Sequence, residues 1–197
     1  MTAHHHRHPG GGGHALTEGV HLALVGSPNS GKTTLFNALT GLRAKTGNYP
    51  GVTVAKYEGR ARMGGIDVVI EDLPGTYSLD PISLDEQVVI DTLDPNDAQT
   101  PTPDGLLVLL DATTLRRSLG LFAQVMMSGL PACVVVTFAD ELQARGGHLD
   151  VAGLERALGV PVVVVTAGDK AHAPSARERP LVVLLFGPGA AQRSQIS

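Results

Sequence analysis

Cysteine, positive charge and long apolar runs are all scarce in this sequence, and each scarcity removes a class of protein. With Cys133 as the only cysteine, no disulfide framework can form, and the composition suits a reducing compartment. Cys133 lies inside the apolar stretch Pro131 to Phe138, where it reads as a small buried hydrophobe. Lysine and arginine total 15 against 19 acidic residues, a formal net charge of -4, and no basic patch interrupts the chain. Nucleic acid is therefore not an expected partner. No stretch approaches the roughly 18 consecutive apolar residues of a membrane span, and Met1 to Gly13 lacks the apolar centre of a secretory signal. The expectation is a chain soluble by itself and cytoplasmic.

What is present fits one globular domain with terminal extensions. The 197 residues are 43% hydrophobic and include 24 glycines, enough for a full core punctuated by many turns. Residues 1–18 read as a disordered arm, with His4, His5, His6, His8 and His14 around a glycine run. Imidazoles at that density either bind a borderline divalent metal weakly or form an incidental tract. Residues 169–197 read as an irregular tail. In it the polar Asp169 to Arg179 precedes Leu181 to Phe186, which is one more strand or an apolar segment with no settled partner.

Gly26-Ser-Pro-Asn-Ser-Gly-Lys-Thr33 meets every position of the G-x-x-x-x-G-K-[ST] phosphate loop. Apolar Val20 to Val25 precedes it as a strand, and Ser30 to Thr40 can continue as a helix, the context the motif requires. Gly26 and Gly31 let the backbone curl so that the N–H groups around Asn29, Ser30 and Thr34 point at phosphate oxygens. Lys32 reaches the β and γ phosphates, and the Thr33 hydroxyl suits Mg²⁺.

Elements then alternate. Leu42 to Val52 reads as a loop, and Thr53 to Met63 and Asp67 to Glu71 as strands joined by a turn at Gly64-Gly65. Ser83-Leu-Asp-Glu86 has capping-box spacing before a helix carrying Val88, Val89 and Leu93. Leu106 to Leu110 is a buried strand, Leu115 to Met127 a helix, Ala132 to Phe138 a strand. Asp150 caps a further helix, with Leu149 and Leu154 spaced as a staple, and Val162 to Val165 is the next strand. This alternation predicts an α/β fold: a doubly wound, mostly parallel sheet with helices on both faces and its ligand at the carboxyl ends of the strands.

Asp72, at the end of an apolar strand and before Pro74-Gly75, sits where an acidic residue meets Mg²⁺, and the Gly75 N–H can contact a γ-phosphate. Thr53 is either a second hydroxyl for the metal or an ordinary strand threonine.

The stretches from Gly26 to Gly41, from Gly47 to Val54 (Gly-Asn-Tyr-Pro-Gly-Val-Thr-Val) and from Asp72 to Leu79 (Asp-Leu-Pro-Gly-Thr-Tyr-Ser-Leu) together resemble the GTPase domain of the FeoB ferrous-iron transporters. That family is a branch of the TrmE-Era-EngA-YihA-Septin-like P-loop GTPases. Ser83 to Val88 and Leu110 to Leu115 agree in order and spacing, so the likeness covers about residues 20 to 168 and implies a GTPase domain over 19–168.

The resemblance implies a switch that binds GTP or GDP with Mg²⁺ and hydrolyses GTP slowly. Thr53, with Gly51 and Val52 before it, would be the γ-phosphate-sensing segment. Asp72 and Gly75 would form the second switch. Asn29 would help hold an activating K⁺, with backbone carbonyls near Asn48 and Tyr49, leaving Lys32, Asn29, Thr53 and Gly75 as the residues that act on the transferring phosphate. Thr76 stands where many small GTPases carry a water-orienting glutamine. The family's Asn-x-x-Asp is here Thr137-Phe-Ala-Asp140. Asp140 keeps its preference for guanine, and Thr137 lacks the amide's second hydrogen-bonding group. Thr166-Ala167 resembles the final Ser-Ala motif that meets the guanine O6. The implied partner is the membrane permease portion of an iron transporter at the cytoplasmic face of the inner membrane, and a homo-oligomer is compatible with this. The other reading is a regulatory nucleotide-binding module with weak turnover and relaxed base selectivity.

Overall fold

The computed structural model of the protein describes residues 19–63, 66–97 and 99–166. A parallel strand covered on both faces must be apolar at consecutive positions, because neither side meets water. Strands β1 (Val20–Gly26), β4 (Ile66–Asp72), β5 (Gly105–Asp111), β6 (Ala132–Thr137) and β7 (Val162–Val164) have that character and lie parallel, in the order β4-β1-β5-β6-β7. Two further strands, β2 (Ala44–Asn48) and β3 (Ala55–Met63), extend the β4 edge antiparallel and complete a seven-stranded sheet.

Alternation along each strand divides the core into two layers. Leu22, Leu24, Ile70, Leu107, Leu109 and Val135 face α1 (Lys32–Thr40), which contributes Phe36 and Leu39. Their neighbours Ala23, Val25, Leu106, Val108, Leu110 and Val134 face the other way. There they meet α2 (Leu84–Leu93), α3 (Leu115–Met126) and α5 (Val151–Leu158) through Val89, Phe122 and Leu154. The α/β doubly wound arrangement expected from the alternation is therefore observed. Since β1, β4, β5 and β6 each hand over to a helix at the same edge, their exit loops gather there.

Local signals hold where they are chemical. The Ser83 hydroxyl accepts from the Glu86 N–H at 3.3 Å and the Glu86 carboxylate accepts from the Ser83 N–H at 2.8 Å, a complete capping box. Asp150 accepts from the Gly153 N–H at 2.9 Å and starts α5. Leu149 and Leu154 pack against one core cluster.

Two expectations need correcting, and one element stands where none was expected. Leu42 to Val52 is not all loop: Ala44–Asn48 forms β2, with all five residues exposed. It has no apolar alternation to announce it, and its existence rests on the ladder with β3. The following strand begins at Ala55 rather than Thr53, because Tyr49 to Val54 closes a turn, with the Tyr49 N–H bonded to the Val54 carbonyl at 3.0 Å. A short helix, α4 (Ala139–Ala144), follows β6 unannounced. It buries no residue, so it leaves no periodic signature. The arm, the Gly64-Gly65 turn and the tail after Thr166 lie outside the described residues. Among the described residues no helix is long and apolar enough to cross a membrane.

β3 crosses α1 so closely at Gly59 that a Cβ there would sit 2.3 Å from Thr40 Cγ2 and 3.2 Å from Phe36 Cζ. Gly59→Ala is expected to destabilise the domain by about 1–3 kcal/mol through overpacking, read as a lower urea midpoint with an unchanged slope. An unchanged midpoint would show that the crossing is looser than described.

Candidate nucleotide-binding site

Two left-handed residues shape the loop after β1. Asn29 has φ +65° and Gly31 φ +89°, conformations that asparagine tolerates and glycine adopts freely. Ser30 is buried between them, its N–H bonded to the Ser27 carbonyl at 3.2 Å. Its Oγ is the one buried side-chain polar atom among the described residues with no hydrogen-bond partner. That orphan hydroxyl lies within the loop predicted to take phosphate.

The loop is bound to the end of β4. The Lys32 ammonium donates to Asp72 Oδ1 at 2.8 Å, and the Thr33 hydroxyl donates to Asp72 Oδ2 at 3.3 Å. Both members of the ion pair are nearly buried, with side chains 10% and 8% exposed. The segment after Asp72 continues along β1: the Leu73 N–H donates to the Leu24 carbonyl and the Thr76 N–H to the Gly26 carbonyl, each at 3.2 Å. Gly75 passes so close to Pro28 that a Cβ would meet its backbone at 3.1 Å. The Thr76 side chain is buried, its hydroxyl given to the Ser78 carbonyl.

Thr137, at the end of β6, donates its hydroxyl to the Ser30 carbonyl at 2.8 Å, and so ties the segment expected to meet the base to the glycine-rich loop. Phe138 follows with φ +56° and starts α4, which presents Asp140 in its exposed first turn. Thr166 lies just beyond β7, the strand next to β6, so Asp140 and Thr166 leave the same edge of the sheet. Ala167 lies outside the described residues.

The structure therefore gathers Gly26, Ser30, Gly31, Lys32, Thr33, Asp72, Gly75 and Thr137 into one bonded site. Asn29 and Thr34 stand exposed beside it, and Asn29 has no side-chain bond among the described residues. Gly51, Val52 and Thr53 belong to the β2–β3 loop. Thr53 is exposed and bonded neither to Thr33 nor to Asp72.

A magnesium ion takes oxygen donors from one or two protein groups and the rest from phosphate and water. The Thr33 hydroxyl and the Asp72 carboxylate, 3.3 Å apart, are such a pair. The donor set fits the ion without Thr53.

Sequence reasoning missed a second polar cluster behind this site. Glu71, fully buried, accepts from the Tyr49 hydroxyl at 2.6 Å on one oxygen. On the other it meets His21 Nε2 at 2.9 Å and the Lys56 ammonium at 3.4 Å. Burial by itself would raise the Glu71 carboxyl. The His21 hydrogen bond, the Lys56 charge and the Tyr49 hydroxyl outweigh it and hold the group below its ordinary range. Burial first, then the Glu71 charge, drives the Tyr49 phenol far above its usual value. His21, Glu58 and Glu71 place ligating atoms within 4.8 Å of one another. The Lys56 ammonium reaches both carboxylates, 2.9 Å from Glu58, and supplies the positive charge there. The signal available beforehand was a glutamate directly after the apolar run Val68 to Ile70.

The sequence profile of the family described as ferrous iron transport protein B matches residues 20–178. The Fe(2+) transporter FeoB of Leptospira biflexa is 41% identical over 146 residues, covering 74% of this chain and 21% of the relative. That of Salmonella typhimurium is 42% identical over 146 residues, covering 72% and 18%. This chain thus spans about a fifth of the length of the curated relatives it matches. The G domain of the T. maritima FeoB iron transporter superposes with a TM-score of 0.67 at 37% identity, covering 75% of this chain and 87% of that one. An S. thermophilus NFeoB mutant bound to GDP gives 0.69 at 38%, covering 77% and 57%.

An ionised Glu71 stabilises the fold above the ordinary carboxylate range, and that contribution disappears as pH falls through its lower folded value. Melting temperature followed downward from neutral pH is expected to drop on the acid side, with Glu71→Gln flattening that limb. Superimposable acid limbs for the two proteins would contradict the assignment.

Proposed function

This chain belongs to the ferrous iron transport protein B family, and from that premise we propose that residues 19–168 are a GTP-binding, slowly hydrolysing switch serving ferrous iron transport. The observation that carries this reading is the phosphate loop bonded through Lys32 and Thr33 to Asp72. Lys32 would turn from Asp72 to the triphosphate, and Asp72 with Thr33 would hold Mg²⁺, so both partners of the buried pair would exchange together. When bound there, Mg²⁺ would supply charge neutralisation on the phosphates. The Gly75 N–H would engage the γ-phosphate from one switch segment, and the Thr53 hydroxyl would join Thr33 and Asp72 at the metal from the other.

Asn29 stands exposed on the loop with its amide uncommitted, as a K⁺ ligand requires. A monovalent cation there would do the work of an arginine finger. Hydrolysis is slow in this reading because Thr76 is too short to orient water, and its buried hydroxyl already donates to the Ser78 carbonyl. The same commitment of Thr76 favours the alternative of a regulatory module with weak turnover.

Guanine selectivity rests on Asp140, with the backbone at Thr166 and Ala167 closing on the base. Thr137 already spends its hydroxyl on the Ser30 carbonyl, so it keeps the loop in place and leaves the base one contact short. The domain would act at the cytoplasmic face of the inner membrane, with the permease portion of the transporter as partner, and self-association there belongs to the same proposal.

Phosphate release by the purified chain tests the enzymatic reading. Hydrolysis of GTP is expected to be slow in Na⁺, to rise in K⁺, and to vanish in Lys32→Ala. Equal rates in both salts would remove Asn29 as a cation ligand, and release no faster than in Lys32→Ala would favour the regulatory module. Thr137→Asn is expected to tighten GTP binding several-fold, since one regained hydrogen bond is worth about 1 kcal/mol. Weaker binding by that variant would mean that the Ser30 contact matters more than the base.

A further inference from the structure

We propose that Tyr49 and Glu71 are positioning residues for the loop that carries Thr53, an inference that rests on the nucleotide switch proposed above. Glu71 is anchored from three sides: its second oxygen meets His21 of β1 and Lys56 of β3, while the first accepts the Tyr49 hydroxyl at 2.6 Å. The Lys56 ammonium also lies 5.5 Å from the centre of the Tyr49 ring, so the same cation holds the ring and its acceptor. Tyr49 thus meets a fixed, charged partner in a dry environment.

The loop is closed upon this anchor. The Tyr49 N–H donates to the Val54 carbonyl at 3.0 Å and the Val52 N–H to the Tyr49 carbonyl at 3.3 Å. Val52 and Val54 pack against the same core cluster as Tyr49. Thr53, between two inward valines, is exposed. For its hydroxyl to join Thr33 and Asp72, the valines must give up part of that packing. The Tyr49–Glu71 bond therefore weights the balance toward the docked loop. Glu71 is also the residue before Asp72, so the anchor and the phosphate site share one strand end.

Tyr49→Phe keeps the ring and removes only the hydroxyl, and it is the variant of choice for the whole chain in Na⁺ buffer. Without nucleotide, the Tyr49 and Val52 amides should exchange hydrogen about three- to tenfold faster than in the unaltered protein. Amides of β1 should be unaffected. The affinity ratio of a non-hydrolysable GTP analogue to GDP should shift toward the analogue by a similar factor, as expected when the resting state alone is weakened. Glu71→Gln added to Tyr49→Phe should give no further increase in loop exchange.

Unchanged exchange would overturn the anchor. Faster exchange with an unchanged affinity ratio would make the bond merely structural and equally overturn the positioning role. If the unaltered chain bound neither nucleotide, the switch reading would fall and this inference with it; normal binding with an unmoved ratio would sink this inference alone.

Discussion

A lysine and an aspartate held out of water must have each other or a replacement for each other, and at the sheet edge this demand joins Lys32 to Asp72. Breaking such a pair from one side costs about 3–5 kcal/mol because the other charge is left buried. Exchanging both partners at once avoids that penalty. A magnesium-bound polyphosphate offers this double exchange, with anionic oxygens for the ammonium and a cation for the carboxylate. In the proposed reading the Thr33 hydroxyl, 3.3 Å from Asp72, and the orphan Ser30 Oγ would serve the same ligand. In that reading the ion pair keeps the site folded and also indicates the charges of its ligand.

The rest of the architecture serves that edge. β1 and β4 are parallel neighbours, in register with Leu24 opposite Asp72, and this brings the phosphate loop and the acidic turn together. Gly75 runs against Pro28 where a Cβ would meet the backbone at 3.1 Å, so the missing side chain eases the approach. Thr137 reaches the loop from β6, across β5, through the Ser30 carbonyl. The end of β6 and the phosphate loop are therefore mechanically one unit. In the proposed reading, threonine at residue 137 keeps the loop in place and offers the base one contact fewer than an asparagine would.

Much of this was legible beforehand, for reasons that differ between residues. The phosphate loop, Asp72 and the Ser83–Glu86 capping box are local chemistry, where residue type and spacing determine the geometry. The parallel strands were legible because burial on both faces demands runs such as Leu106 to Leu110. β2 was not, since Ala44 to Asn48 has no side-chain pattern and is held by a partner strand. The short α4 buries nothing and leaves no period to detect. The Glu71 cluster escaped because its members, from positions 21, 49, 56 and 71, meet only when β1, β3 and β4 are assembled. Such contacts are tertiary facts, and no window along the sequence contains them.

Membership of the iron-transport family accounts for the phosphate chemistry, while this chain's own residues make its version of the domain particular. Titration of the purified chain with GTP and ATP, each with and without Mg²⁺, tests the double exchange at Lys32 and Asp72 most directly. The account predicts that GTP binds in the presence of Mg²⁺, loses much of its affinity when the metal is chelated, and outcompetes ATP. GTP binding indifferent to Mg²⁺, or equal affinity for ATP, would contradict it.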